Sequence, residues 1–189
     1  MIFKYSEYRQ FITQAKKYPI TTVADWDGSN AIILRHDVDL AIKPAYRLAQ
    51  LEYEMGIRST FCVLTTNPTY NPASRENRRM LHEMADMGFD VGLHFDPLIY
   101  PHDDPSELGK KVRQEAGWLE SITGRPVRSV SLHNPSVHQR YPLFTGYKNA
   151  YDPEIFAEDR YMSDSRMHFR HNVFEFIERA KDRLCVKMI

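Results

Sequence analysis

Short apolar runs alternate with amphipathic segments along this chain, and that alternation constrains its fold more than any other feature. Four runs predict strands: AIILRHDVDL from Ala31, IRSTFCVL from Ile57, FDVGLHF from Phe89 and VRSVSLH from Val127. The segments between them carry apolar residues at helical spacing. Strands that alternate with helices over short connections are typical of a parallel sheet or barrel. We therefore expect an α/β fold.

The length and net charge of the chain limit the kinds of protein that it can be. Its 189 residues show no linker or composition shift, so we expect one domain over residues 1–189. With 25 basic and 25 acidic side chains the net charge is zero, which gives no basic stripe for a nucleic-acid backbone. No apolar run approaches the roughly 20 residues of a membrane span, and the N-terminus lacks a signal-peptide pattern. Two cysteines, Cys62 and Cys185, favour a cytoplasmic protein without a disulfide framework.

Acidic and imidazole side chains collect where the predicted strands end. The first strand ends in residues 35–39, the third reaches His94 and the fourth reaches His133, while a short segment late in the chain carries Asp164. In parallel α/β architectures ligands bind at the carboxyl ends of the strands. We therefore expect a functional site at this edge of the sheet.

Strand alternation divides the residues at the end of the first strand. Asp37 and Asp39 point to one face, about 6.6 Å apart along the chain. Arg35 shares that face, whereas His36 points to the other and is expected to pack against a helix. Two carboxylates on one face can have different roles, since one can bind a cation while the other serves as a base.

Asp39, His94 and His133 form a candidate metal site. Two imidazoles and one carboxylate are a common catalytic zinc set, which leaves a fourth position for water. Two alternatives stay open at this point. Asp39 also suits the N-cap of the helix that begins near Pro44, and a single histidine at a strand end is often a hydrogen-bonded structural residue. Asp96 suits the start of a turn.

Taken in order, these residues resemble the motifs of the polysaccharide deacetylase superfamily, the NodB-homology or carbohydrate esterase family 4 group. Residues 35–39, Arg-His-Asp-Val-Asp, look like the D-x-D variant of its first motif. This variant is found in some branches of the superfamily, including the lipid A aminoarabinose deformylases. Residues 56–61 are similar to the second-strand G-I-x-A-T-F, and residues 88–94 look like the approach to the second motif. The third and fourth motifs fall at 131–135 and 161–165, so the resemblance covers roughly residues 31–166.

This resemblance implies a fold, an activity and residue roles. Members of the superfamily have a distorted (β/α) barrel and use a divalent metal to hydrolyse N- or O-acyl groups, chiefly acetyl, from sugars. It implies that Asp37 is the catalytic base and that Asp39 and His94 are metal ligands. It also implies that Asp164 orients the catalytic apparatus by holding Arg35 or another partner in place.

Three departures from the family pattern modify that expectation. The second histidine of the second motif would fall at Leu98, so we take His133, in place of the usual arginine of the third motif, as the third ligand. The last run, residues 184–189, has no histidine to act as the general acid. The family domain is normally somewhat longer, which predicts a distorted and incomplete (β/α) barrel.

The expected function is hydrolysis of an N-acyl group, chiefly acetyl, from a sugar or glycan precursor, with a divalent metal that we expect to be zinc. Asn134 and Tyr141 are the candidate substrate-binding residues, Tyr141 by stacking on a sugar ring, although ordinary loop packing explains such tyrosines equally well. One alternative is a catalytically impaired pseudoenzyme that binds a glycan or a protein. Another is a metal-dependent hydrolase of small cyclic amides.

Overall fold

The computed structural model describes residues 4–157, 160–163, 172–178 and 184–188. The strands are β1 (Ile20–Thr21), β2 (Ile32–Val38), β3 (Thr60–Leu64), β4 (Asp90–Phe95), β5 (Ser129–Leu132), β6 (Lys148–Asn149), β7 (Tyr161–Ser163) and β8 (Leu184–Met188). The helices are α1 (Tyr5–Ala15), α2 (Ile42–Glu54), α3 (Arg75–Asp86), α4 (Pro105–Thr123), α5 (Pro135–His138) and α6 (Val173–Glu178). A 3₁₀ turn, Pro97–Ile99, follows β4.

The strands join one curled sheet in which every pairing is parallel. Their order is β6-β5-β4-β3-β2-β8-β7, and β1 lies beside the first residues of β2. The edge strands β6 and β7 do not pair with each other in the described part of the chain, so the barrel stays open. The expected α/β fold, an incomplete (β/α) barrel, is confirmed. Among the helices described, none has the length and apolar character needed to cross a bilayer.

The central strand β2 is buried along its whole length, and its two faces meet different surroundings. Leu34 packs with Tyr8 of α1 on the helix side. Ile33 packs with Trp26 in the barrel interior. Strands covered on both faces appear as continuous apolar runs, which explains the sequence signal. Because the side chains alternate, the odd-numbered residues from Arg35 onward point into the interior.

On the helix side, His36 takes part in a buried polar network. The Glu52 carboxylate of α2 accepts hydrogen bonds from the Tyr8 hydroxyl and from Ser59 Oγ, the latter at 2.5 Å. Glu52 Oε1 also lies 2.8 Å from His36 Nε2. The imidazole stacks on Phe61 with 4.6 Å between ring centroids. The prediction that His36 packs against a helix is therefore confirmed.

Small and polar side chains line the interior beneath the carboxyl edge. The Asp90 carboxylate accepts hydrogen bonds from Thr60 Oγ1 at 2.9 Å and from Ser129 Oγ at 2.7 Å. Gly92 lies on the same face of β4, and a β-carbon at this position would overlap Ser129 Oγ. Cys62 is completely buried in the same region. Small side chains on this face therefore leave room for the Ser129 hydroxyl beside Gly92.

Helix boundaries follow local capping chemistry. Ser74 caps α3 by accepting a hydrogen bond from the Asn77 backbone amide at 3.4 Å, and Gly124 ends α4 in the left-handed conformation. The alternative in which Asp39 caps α2 is wrong. That helix starts earlier than Pro44, at residue 42, and its N-cap is Ala41, which offers no side-chain hydrogen bond.

Three short elements escape prediction from the sequence. The strands β1 and β6 have two residues each, which is too short to show a period of two. The helix α5 and the strand β6 lie inside the segment 134–160 that the sequence presents as a loop. Pairing with a neighbouring strand, rather than local pattern, creates β1 and β6.

Candidate metal centre

Three of the four predicted strand ends meet at the carboxyl edge of the sheet. Asp39 follows β2, His94 is the second-last residue of β4, and His133 follows β5. The strand β5 is the neighbour of β4, and β3 lies between β4 and β2. The fourth candidate, Asp164, lies outside the described residues.

The three candidate ligands form a nearly equilateral triangle of atoms. Asp39 Oδ1 lies 3.2 Å from His94 Nε2 and 3.3 Å from His133 Nδ1. The two imidazole nitrogens lie 3.2 Å from each other. His94 is buried, whereas Asp39 and His133 are each about one-fifth exposed, so the triangle opens to solvent on one side. These distances suit hydrogen bonds from protonated imidazoles to the carboxylate, and they also suit three ligands of one cation.

This triangle fits a tetrahedral divalent ion. Zinc binds nitrogen and oxygen ligands at about 2.0 to 2.2 Å, which places adjacent ligands of a tetrahedron about 3.3 to 3.6 Å apart. Within the described ranges, this is the only group of three histidine, cysteine or acidic residues whose ligand atoms lie within 4.8 Å of one another. The structure thus brings the three predicted ligands together, and their role as ligands stays a prediction.

The electrostatics of the triangle favour an anionic carboxylate. Burial raises the pKa of Asp39, but hydrogen bonding to His133 and His94 and their positive charge outweigh burial and hold that pKa well below its usual range. The hydrogen bond with Asp39, opposed by burial and reinforced by the Asp39 charge, raises the pKa of His133. Because a histidine binds metal through an unprotonated nitrogen, metal binding here competes with protonation of His133.

The position of Asp39 is supported from the loop that follows β3. The side-chain amide nitrogen of Asn67, Nδ2, donates a hydrogen bond to the backbone carbonyl of Asp39 at 2.7 Å. The Tyr70 hydroxyl donates to the Val38 carbonyl at 2.6 Å and accepts from the Leu64 amide at 3.1 Å. Neither Asn67 nor Tyr70 was a candidate from the sequence, because a polar loop residue that acts through the backbone leaves no motif.

Asp37 and Arg35 form an ion pair inside the barrel, next to the ligand triangle. Arg35 Nε lies 3.2 Å from Asp37 Oδ1, and Arg35 Nη2 donates to Asp37 Oδ2 at 3.3 Å. Both side chains are completely buried. Asp37 Oδ1 also lies 3.8 Å from His94 Nδ1, the ring nitrogen that faces away from the triangle. The pair therefore contacts the candidate site from behind His94.

Tyr151 also contacts the Arg35 guanidinium. The guanidinium carbon lies 5.0 Å from the centroid of the Tyr151 ring, and Nη2 donates to the Tyr151 hydroxyl at 3.3 Å. Such a cation–π contact stabilises a buried arginine. Tyr151 is not among the candidate site residues from the sequence, because its contact with Arg35 joins positions 116 residues apart.

The structure places the two candidate substrate-binding residues differently, Asn134 against His133 and Tyr141 against Tyr151. Asn134 Nδ2 lies 2.9 Å from His133 Nε2, so the amide contacts the nitrogen that faces away from the triangle. Tyr141 is partly exposed, and its ring centroid lies 5.8 Å from that of Tyr151. Leu98, where the family pattern places a histidine, is also exposed and supplies no ligand atom. Contact of Asn134 or Tyr141 with a sugar stays a prediction.

Solved structures share this fold. A family 4 carbohydrate esterase from Bacillus anthracis aligns with a TM-score of 0.53 and 13% identity over 95% of this chain and 76% of that chain. Peptidoglycan deacetylase PdaC from Bacillus subtilis aligns with a TM-score of 0.50 and 17% identity over 86% of this chain and 76% of that chain. A mutant of a CE4 family pseudoenzyme from Bacillus anthracis aligns with a TM-score of 0.53 and 13% identity over 85% of this chain.

The chain therefore has the fold of the family 4 carbohydrate esterases, and the fold implied by the resemblance to the polysaccharide deacetylases is confirmed. It spans 56% of the length of the pseudoenzyme chain. No family model and no curated protein matches the sequence. The fold places a possible metal site of one carboxylate and two imidazoles at the carboxyl edge of the sheet.

Proposed function

We propose that this chain is a metal-dependent hydrolase that removes an N-acyl group, chiefly acetyl, from a sugar or a glycan precursor. The observation that supports the proposal is the triangle of Asp39, His94 and His133 beside the buried Asp37–Arg35 pair. Two of the solved structures with this fold are a family 4 carbohydrate esterase and a peptidoglycan deacetylase. A sugar substrate also agrees with the zero net charge of the chain.

Zinc is the ion that we propose for the site. Asp39 Oδ1, His94 Nε2 and His133 Nδ1 would hold it, because two imidazoles and one carboxylate with an open fourth position are a common catalytic zinc set. A divalent ion in such a site polarises the acyl carbonyl and lowers the pKa of water from 15.7 towards about 7. With metal at His133 Nδ1, its Nε2 carries a hydrogen, which the Asn134 side chain would accept through Oδ1 after its amide is turned. Asp37 Oδ1, 3.8 Å from His94 Nδ1, would orient the other ring from a distance longer than a hydrogen bond.

Asp37 is the proton acceptor in this proposal. The Arg35 guanidinium lies against both of its carboxylate oxygens, and a neighbouring positive charge favours the ionised form that a base requires. A base must lie within hydrogen-bond reach of the proton that it takes, directly or through one water molecule. Asp164 is included as the residue that orients this apparatus, and Asn134 and Tyr141 as contacts of the sugar.

The proposal is tested by metal content and deacetylation measured together. The wild-type protein is expected to bind about one equivalent of zinc and to release acetate from N-acetylated sugars. Asp39→Ala is expected to lose both. The matched control is Asp27→Ala, which removes a carboxylate from the exposed turn before β2 and should change neither. Unchanged zinc content in Asp39→Ala would contradict the ligand assignment, and zinc binding without acetate release would contradict the activity.

A catalytically inactive binding protein is the second candidate function. It is favoured by Leu98, which is exposed at the position of a family histidine and supplies no ligand atom. One of the structures that share the fold is described as a pseudoenzyme, and a mutant of it has restored enzymatic activity. Chitooligosaccharide binding with a measurable affinity, but without acetate release in the zinc-loaded protein, would select this function.

A further inference from the structure

Glu115 is a buried carboxylate on the otherwise apolar face of α4. It is 8% exposed, and its neighbours on that face include Val112 and Ala116. Burial raises the pKa of the Glu115 carboxyl, and hydrogen bonds from Thr65 and Tyr100 oppose that rise. Burying a carboxylate costs free energy that an apolar side chain at this position would not cost. The contacts of Glu115 are therefore the place to look for its role.

Both carboxylate oxygens of Glu115 accept hydrogen bonds from loops at the carboxyl edge of the sheet. The Thr65 hydroxyl, directly after β3, donates to Oε2. The Tyr100 hydroxyl, directly after the 3₁₀ turn that follows β4, donates to Oε1 at 2.9 Å. Glu115 thus joins the loop after β3 and the loop after β4 to the same helix.

From Thr65 the contacts continue to the backbone around Asp39. The backbone carbonyls of residues 38–40 each accept a hydrogen bond from a side chain of the segment 67–70, which begins two residues after Thr65. The donors to residues 39, 40 and 38, at 2.7, 2.8 and 2.6 Å, are Asn67 Nδ2, Thr69 Oγ1 and the Tyr70 hydroxyl. Asp39 is the middle residue of the three acceptors, so the loop after β3 fixes the backbone on both sides of this candidate ligand.

From Tyr100 the contacts continue to the two candidate histidines. The Tyr100 ring stacks on Phe95, with 5.8 Å between the ring centroids and 13° between the planes. Phe95 follows His94 on β4, and its backbone carbonyl accepts a hydrogen bond from the His133 amide at 2.8 Å. Short series of contacts therefore connect Glu115 with the backbone of all three candidate ligands.

We propose that Glu115 is a positioning residue that sets the zinc affinity of the candidate metal centre by fixing the two loops beside its ligands. This inference rests on the proposed function, because it concerns the ion of the same site. Glu115 acts through Thr65 and Tyr100 rather than on the ion. Ligands that are already held in place lose less freedom when an ion binds, which strengthens binding.

Zinc affinity and stability, measured separately, test the proposal. Glu115→Ala is expected to weaken zinc binding about tenfold in a competition titration against a chelator, the lower end of the loss that is typical when residues behind metal ligands are changed. The matched control is Asp90→Ala, which also removes a buried carboxylate that accepts hydrogen bonds from two hydroxyls, but at the opposite end of β4 from His94. Urea denaturation of the metal-free protein is expected to show a loss of stability in both variants, whereas only Glu115→Ala should lose zinc affinity.

Variants that each remove one hydroxyl keep the test valid if Glu115→Ala does not fold. Thr65→Val and Tyr100→Phe are expected to weaken zinc binding about threefold each, within the range of one hydrogen bond. Their control is Ser129→Ala, which removes one hydroxyl from the Asp90 carboxylate and should leave zinc affinity unchanged. Glu115→Gln keeps an acceptor oxygen and should retain most of the wild-type affinity.

The outcomes separate this inference from the proposed function. Wild-type zinc affinity in Thr65→Val, Tyr100→Phe and a folded Glu115→Ala overturns the positioning role and leaves the hydrolase proposal intact. Equal losses of zinc affinity in Glu115→Ala and Asp90→Ala also overturn it, because general destabilisation then explains both. A wild-type protein that binds no zinc contradicts both the inference and the metal centre of the proposed function. Loss of zinc affinity in the Glu115 variant but not in the Asp90 variant supports the positioning role, whether or not acetate is released.

Discussion

Replacing Asp37 with asparagine removes the negative charge that faces Arg35 in the barrel interior. Both side chains are completely buried, and two nitrogen–oxygen contacts of 3.2 and 3.3 Å join them. Removing one partner of a buried ion pair leaves an uncompensated charge and typically costs about 3 to 5 kcal/mol. The amide oxygen of the new side chain and the Tyr151 contacts would still face the guanidinium, so we expect the lower end, about 3 kcal/mol, from Asp37→Asn.

Urea denaturation of the metal-free protein measures this loss. With a slope of about 2 to 3 kcal/mol per molar urea for a chain of this size, the midpoint is expected to fall by about 1 to 1.5 M. Asp25→Asn is the matched control, since it makes the same chemical change in an ion pair with Arg128 in which both side chains are about half exposed. Exposed pairs contribute at most about 1 kcal/mol. Equal losses in the two variants would refute the reasoning from burial.

The same variant separates two roles of Asp37. If Asp37 orients His94 through Nδ1, zinc affinity should fall about 10- to 100-fold, as is typical when a partner of a ligating histidine is removed. If Asp37 acts only as the base, zinc affinity should stay at the wild-type value while turnover is lost. Retention of both zinc affinity and full turnover would reject both roles.

Three further substitutions test the fold around the site by urea or thermal unfolding. Gly92→Ala should lower the free energy of unfolding by about 1 to 3 kcal/mol, because its β-carbon would overlap Ser129 Oγ. The control Gly117→Ala, in open space on α4, should be neutral or stabilising. Equal effects of the two variants would contradict the close contact between Gly92 and Ser129. Asp104→Ala should cost about 1 kcal/mol, since this N-cap accepts two backbone hydrogen bonds at the start of α4, and no loss would contradict the cap. Glu52→Ala should cost at least about 3 kcal/mol, because three buried polar groups lose their acceptor, and a loss below about 1 kcal/mol would contradict that network.

The candidate ligands were accessible from the sequence for a specific reason. Asp39, His94 and His133 each lie at the end of an apolar run, and the carboxyl ends of parallel strands must meet at one edge of the sheet. Alternation along β2 likewise predicts that Arg35 and Asp37 share a face. Both predictions rest on the alternation of side chains along a strand and on the common direction of parallel strands, which short stretches of sequence indicate.

Other parts of the site depend on contacts between distant segments. Tyr151 reaches Arg35 across more than one hundred residues, and Asn67 and Tyr70 hold the end of β2 through its backbone carbonyls. A backbone acceptor has no side-chain signature, so neither partner has a motif. Whether Asp39 caps a helix or faces the imidazoles also depended on where α2 begins.

Hydrophobic periodicity acts over a few residues, so local sequence is enough to predict the α/β class, the succession of the main strands and the face of β2 that carries its charges. Only the folded chain shows the distances of 3.2 to 3.3 Å within the ligand triangle and the position of Asp37 behind His94. Strand order and loop packing determine these distances and positions, because both arise only when segments far apart in sequence are brought together.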